Sequence, residues 1–147
     1  MKKTFVIGGV IILLYFGSVF LRAYLWELEA AKYLEEALQD IAKPWNEENL
    51  VKRASWWLRE KSNLTPSEIT RMAKEDFGNL VEIQKRPNCN IQQGFDTYSK
   101  DKKTYAICLA SMKFDKKAAE MKVRLVQESG GWKINDFVSV NTLPAER

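Results

Sequence analysis

Cys89 and Cys108 are the two cysteines of the chain, and they offer its sharpest chemistry. They lack the Cys-x-x-Cys spacing of a redox motif or a zinc site, which leaves a disulfide to consider. Two arguments oppose each other. An oxidising compartment favours the bond, and closing the intervening loop is worth roughly 3 kcal/mol on a chain-entropy account. Strand register opposes it. With Asp101-Lys102 as a hairpin tip, Cys108 falls opposite about Phe95 and Cys89 opposite about Phe114. That offset is near 20 Å at strand rise, whereas bonded Cα atoms lie within about 7 Å. A bulge at Gly94, or a loop from Pro87 to Asn90 folding back across the sheet, would close the gap. Both outcomes stand open. For Cys108 without the bond, the reading is a small buried hydrophobe.

Other chemistry is sparse. The chain has no histidine, so the commonest general base and metal ligand is missing. No phosphate-cradling glycine loop and no Gly-x-Ser-x-Gly nucleophile pattern occurs, so no metal and no cofactor is called for. The aromatic side chains Trp57, Phe77, Phe95, Tyr105, Trp132 and Phe137 are candidates to line a pocket. Aromatics at helix and strand spacing are more often core, and that is the reading preferred here. Nucleic acid is not an expected partner. The net charge is +4, but three of the 23 basic residues, Lys2, Lys3 and Arg22, precede Trp26, while all 19 acids follow it. The remainder is nearly neutral, without the basic stripe that phosphate backbones need. Lys100, Lys102 and Lys103, and Lys113, Lys116 and Lys117, read as solvated turns.

The elements that must position these residues begin with an apolar stretch. From Phe5 to Leu21 there is no charge, and Ala23, Tyr24, Leu25 and Trp26 continue it past Arg22. A membrane-crossing helix needs about 20 such residues; Arg22 can snorkel, and Tyr24 and Trp26 suit the interface. A cleaved signal peptide is the alternative, but its apolar core is shorter and ends in small residues, whereas Val19-Phe20-Leu21 is bulky. Lys2 and Lys3 before the span, against Glu27, Glu29, Glu35, Glu36 and Asp40 after it, place the N-terminus in the cytoplasm. The expected partner is therefore the lipid bilayer. The expected location is the inner membrane, single-pass, with the C-terminal domain periplasmic or otherwise extracytoplasmic.

The helix should continue unbroken, because neither Gly nor Pro follows Gly17 until Pro44. Leu21, Leu25, Leu28, Leu34, Leu38 and Ile41 recur at mostly helical spacing, so the helix is expected to leave the bilayer and pack this apolar stripe on the domain. A coiled coil is the alternative, but the stripe covers too few heptads. A second helix is expected from an Asn46 cap to about Lys61, with Leu50, Val51, Ala54, Trp57 and Leu58 on one side. A third starts at Thr65-Pro66-Ser67-Glu68, a capping box with proline in the first turn. It carries Ile69, Met72, Ala73 and Phe77 and ends at Gly78. The period then changes to two. Strands are expected at Leu80–Gln84, Ile91–Ser99, Lys103–Phe114, Ala119–Gln127 and Trp132–Val140, with Lys85–Asn88 as a turn and Ser129-Gly130-Gly131 as a hairpin. The third strand is apolar on both faces, which predicts a central strand covered on both sides. The fold class is α+β: an N-terminal transmembrane helix, then two or three helices packed on a curved antiparallel meander sheet. The organisation is 1–26 anchor, 27–43 helical extension or linker, 44–141 domain and 142–147 tail.

The order of a Pro-Trp-Asn-Glu-Glu helix, a Thr-Pro-Ser-Glu helix and a meander closing on Gly130-Gly131-Trp132-Lys133-Ile134 resembles the nuclear-transport-factor-2-like (cystatin-like) superfamily, especially small bacterial membrane-anchored or exported members of unknown function. The resemblance spans roughly Pro44 to Val140. It implies a cone-shaped fold with a pocket between helices and sheet. Isomerase-type members use pocket carboxylates with tyrosine, for which Asp96 and Asp136 with Tyr98 or Tyr105 are the candidates here. Acids on turns and strand edges facing water are the preferred reading of that set.

The expected function is a non-enzymatic, membrane-anchored interaction or scaffold module, an accessory or subunit of a cell-envelope assembly, with other envelope proteins or a second copy as partner. A small-molecule-binding or enzymatic member of the same fold is the first alternative. A pilin-like filament subunit is the second, and it lacks the prepilin cleavage pattern.

Overall fold

The computed structural model describes residues 2–144, with side chains described for 9–141. It is α+β: one long apolar helix, three short helices and a small antiparallel sheet. The 41-residue helix α1, Lys2–Ala42, is unbroken, as the absence of helix breakers after Gly17 predicts. Its first half is long and apolar enough to cross a membrane, and none of that window is buried against the domain. The second half belongs to the core. Ala30, Ala31, Leu34, Ala37, Leu38, Ile41 and Ala42 are buried, whereas Leu21 and Leu25 stay exposed and Leu28 is half-buried. The core therefore starts ahead of Pro44, with the helical extension packing its apolar stripe on the domain. Small alanines between the leucines let the helix lie close on the sheet.

The expected second helix is two. Helix α2, Glu47–Arg53, starts at Asn46, whose side chain accepts from the Asn49 N–H. Ala54 leaves helical geometry and pairs with Ile134 in a parallel bridge. Helix α3, Trp56–Glu60, then restarts at Ser55. A serine hydroxyl that caps the next turn competes with continuing the helix. Helix α4, Pro66–Phe77, carries the full Thr65–Glu68 capping box and ends at Gly78 with φ 76°. Ile69 and Ala73 are buried, but Met72 is exposed and Thr70 takes a buried place.

The strands are β1 (Leu80–Ile83), β2 (Asn88–Phe95), β3 (Lys102–Phe114), β4 (Lys117–Glu128) and β5 (Gly131–Pro144). Strand β5 runs past residue 141 into the expected tail; residues 145–147 lie outside the described residues. Strands β3, β4 and β5 follow one another across the sheet. Strands β1 and β2 do not pair with each other. Both lie along the same edge of β3, β1 against Met112–Phe114 and β2 against Lys102–Leu109. Lys85-Arg86-Pro87 interrupts one edge strand; it does not turn the chain between two neighbours. Pro87, which has no N–H to donate, fits such a break. Two residues with positive φ, Ser129 (50°) and Gly130 (78°), join β4 to β5 as a type I′ turn.

Strand β3 is central, hydrogen-bonded on both edges. Its even-numbered face, Ala106, Cys108, Ala110, Met112 and Phe114, is buried. The other face is not fully covered: Tyr105 and Ile107 are half-buried and Leu109 is exposed. Gly94 forms no bulge. It sits in regular register opposite Lys103, and a Cβ there would lie 3.1 Å from the Tyr105 ring.

Candidate functional site

The register that decides the cysteines is set at the β2–β3 hairpin. Its connection is Asp96–Asp101, longer and earlier than the two-residue tip expected at Asp101-Lys102. The Asp96 carboxylate accepts from the N–H groups of Tyr98 and Ser99 at 2.8 and 3.2 Å, and the Asp96 carbonyl accepts from the Lys100 N–H at 2.8 Å. Lys100 takes the left-handed conformation, φ 57°, which closes the loop. Moving the tip places Cys89 directly opposite Cys108. They are disulfide-bonded, with Cα atoms 4.0 Å apart. The bond is buried in the core and staples the edge strand β2 to the central strand.

Asp96, Asp136, Tyr98 and Tyr105 border one cavity of about 250 Å³ at this end of the sheet, together with Trp57 and Arg124. The chemistry of that set is limited by Asp96. Its carboxylate makes a 2.8 Å ion pair with Lys103, which also reaches Glu128 at 3.7 Å. The Lys103 ammonium, helped by the two loop N–H groups, holds the Asp96 pKa down to about 2. A general base works best with a pKa near the operating pH, so Asp96 is a structural acceptor. Burial raises the Tyr105 phenol above its ordinary value, so it stays protonated at neutral pH.

The six candidate pocket aromatics do not converge. Trp57, Phe95 and Tyr105 border the hairpin-end cavity. Phe77 and Phe137 border a different cleft, and Trp132 is buried at 4% exposure with no hydrogen-bond partner for Nε1 among the described residues. Phe95 is 68% exposed, so most of its ring faces away from that cavity's interior. The aromatic that anchors the helices is Trp45. Its Nε1–H donates to the Gly78 carbonyl at 2.7 Å, and its ring stacks on Phe114 with centroids 6.3 Å apart. The Pro44-Trp45-Asn46 turn between two helical patterns was the available signal, because a tryptophan there must pack one face and satisfy its N–H.

The cleft that Phe77 and Phe137 share lies between helices α3 and α4 and the sheet. Leu58, Leu64 and Met72 complete its apolar wall, with Asp76 and Asp136 at its polar side. Leu64 and Met72 are each 42% exposed. The cavity volume is about 220 Å³, below the roughly 300–1,000 Å³ of drug-sized ligand sites. Ser55, fully buried, fixes the wall's position. Its hydroxyl accepts from the Leu58 N–H and donates to Asn135 Oδ1 at 3.0 Å, and its N–H donates to the Ile134 carbonyl at 2.8 Å.

A further cavity separates α1 from β2. Tyr15, Val19, Arg22 and Trp26 form one wall, and Ile91 and Gln93 the other. Among the described residues no group of three or more His, Cys, Asp or Glu side chains is arranged to hold a metal. No family model, curated protein or solved structure matches the chain.

Proposed function

We propose that the chain is a membrane-anchored interaction module, with its domain on the extracytoplasmic side of an inner membrane and an envelope protein as partner. One observation carries this reading: α1 is exposed and apolar over its first half and buried in the domain core over its second. A single rigid helix thus ties the domain's position to the bilayer, which suits a platform that presents a surface at fixed height. The Cys89–Cys108 disulfide is consistent with an oxidising compartment. The half-open cleft of Leu58, Leu64, Met72 and Phe77 is the surface offered to a partner's apolar side chains. Its exposed leucine and methionine suit adaptable protein contacts. Helices seated in a curved sheet, as in the cystatin-like architecture, fit the register shifts between Glu120 and Met121 and between Arg124 and Leu125, since bulges bend and twist strands.

A photo-cross-linking amino acid at Met72 in intact cells is expected to capture a discrete envelope protein, whereas the same probe at Lys85 captures none. Equal capture at both positions, or at neither, would remove the cleft as the interface. A ligand-binding reading rests on the hairpin-end cavity, where Trp57, Tyr105 and Arg124 border about 250 Å³ beside Asp136. The two readings separate on Arg124→Ala, which should leave the Met72 cross-link intact if the cleft is the interface.

A further inference from the structure

The height of the domain relative to the span follows from which residues share a level. At one level, the α1 wall formed by Tyr15, Val19, Arg22 and Trp26 faces Ile91 and Gln93 of β2, and Gln93 pairs with Thr104. At another, Leu38 and Ile41 of α1 border the same small core cavity as Met112 and Phe114. Strand β3 therefore runs in the direction of α1. From Arg22 to Ile41 the helix advances about 28 Å at its rise per residue. From Thr104 to Phe114 the strand advances about 33 Å, so the two scales agree. Strand β2 runs the opposite way, and its end at Phe95, with the Asp96–Asp101 loop, continues beyond Gln93 toward the N-terminal part of α1.

That part is the span. The uncharged run Phe5–Leu21 extends about 25 Å as helix, slightly less than the roughly 30 Å hydrocarbon layer. Arg22 to Trp26 must then lie at the boundary, where arginine snorkels and tryptophan settles. Residues level with Arg22 lie at the boundary too, so the hairpin end beyond Gln93 meets the bilayer surface there. What it exposes there suits that layer. Phe95 is 68% exposed and Tyr98 60%. Trp56, 42% exposed, borders a cavity with Tyr98. Lys100 and Lys102 are exposed beside them. Amphipathic rings with basic residues are what the headgroup region accommodates.

We propose that the β2–β3 hairpin is a second membrane contact: Phe95, Tyr98 and Trp56 rest in the interfacial layer of the leaflet from which α1 emerges. The occupant of this aromatic surface is lipid, and the domain is held against the bilayer at two points. The Asp96–Lys103–Glu128 ion pairs brace the hairpin, and the Trp56 backbone N–H donates to Glu128, which ties the start of α3 to it. The proposal rests on α1 spanning a bilayer, and its test separates the two statements.

With Cys89 and Cys108 bonded, an added cysteine supplies the free thiol for a nitroxide label. Full-length chains carrying Gly17→Cys, Tyr98→Cys, Lys100→Cys or Lys85→Cys are labelled without reductant and placed in lipid nanodiscs. Collision with oxygen, which enters lipid, is compared with collision with a water-soluble nickel chelate. Gly17 has open space around it and marks the span; Lys85, in the β1–β2 break, marks water. The labels at Tyr98 and Lys100 are expected to show several-fold less nickel contact than Lys85 and more than Gly17, the interfacial signature. If both match Lys85 while Gly17 is shielded, the span stands and the second contact is wrong. If Gly17 matches Lys85, the span is wrong and the proposal falls with it.

Discussion

Ser55 does more than its type announces. It caps α3, bonds Asn135 across to the last strand and accepts no solvent contact. Ser55→Ala removes the cap, at about 0.5–2 kcal/mol, and leaves Asn135 Oδ1 without its donor, at about 1–3 kcal/mol. A loss of roughly 2–3 kcal/mol in denaturant unfolding is expected; under about 0.5 kcal/mol would show that water replaces both bonds. Asp96 makes a prediction in pH. Its folded pKa of about 2 lies below its ordinary value of 3.8, so its contribution is fully present above about pH 4 and is lost as pH falls through about 2. Asp96→Asn should destabilise at neutral pH, and the gap from the parent should narrow between about pH 4 and pH 2. A gap that stays constant across that window would mean the Lys103 pair contributes nothing to stability. Asp96 also held the legible clue to the disulfide. An aspartate followed by Thr97-Tyr98-Ser99 can close a loop on its own carboxylate, yet the alternation through Ser99 reads equally as strand, and only one of these readings brings the cysteines opposite each other.

Helix α1 sets what can be removed. Leu34, Leu38 and Ile41 are 0%, 8% and 3% exposed. At about 2–5 kcal/mol for each such side chain, their loss rivals a typical domain stability of about 5–15 kcal/mol. A chain truncated to begin at Ala42 is therefore expected to aggregate or to bind a dye for exposed apolar surface, while one beginning at Glu27 should unfold cooperatively in circular dichroism. A cooperative transition for the shorter chain would show that the sheet and α2–α4 form a core unaided. Further interactions fix α2 to α1. Arg53 pairs with Asp40 and lies 5.3 Å from the centroid of the Tyr33 ring, and Asn49 Nδ2 donates to the Asp40 carbonyl at 2.9 Å. The clamp at the other end of the sheet joins α4 to the β3–β4 turn. Asp115 accepts from the Asn79 N–H at 3.0 Å, and the Lys116 N–H donates to the Phe77 carbonyl at 3.1 Å. Gly78 is needed between them, since its φ is 76° and a Cβ would approach that of Asp115 to 2.8 Å.

For the whole molecule, orientation is the testable property. Lys2 and Lys3, which argue for a cytoplasmic N-terminus, lie outside the residues whose side chains are described. A C-terminal alkaline phosphatase fusion is expected to be active, and a C-terminal fluorescent protein that matures only in the cytoplasm is expected to be dark. The reverse pattern would overturn the orientation. Alkylation after denaturation of envelope-derived protein gives an independent reading, because an extracytoplasmic domain should retain the Cys89–Cys108 bond and show no free thiol.

By itself the sequence determined what depends on a few neighbouring residues: the apolar length of the first helix, the caps at Asn46 and Thr65, the ends at Gly78 and Gly130, and the period-two strands after Gly78. Each of these signals acts over one or two turns of chain, so it can be read locally. Tertiary structure decided what depends on partners far apart. Strands β1 and β2 share one edge of β3 because of where β3 lies, and the cysteines meet because the hairpin loop is longer and earlier than its charges suggest. Helix α2 stops at Ala54 because Ile134, eighty residues on, offers its backbone. The surface that receives the stripe of residues 30–42 is the apolar face of the sheet. Hydrophobic patterning says which side of an element seeks burial, but not which surface receives it, and side-chain alternation alone does not distinguish registers that differ by an even number of residues.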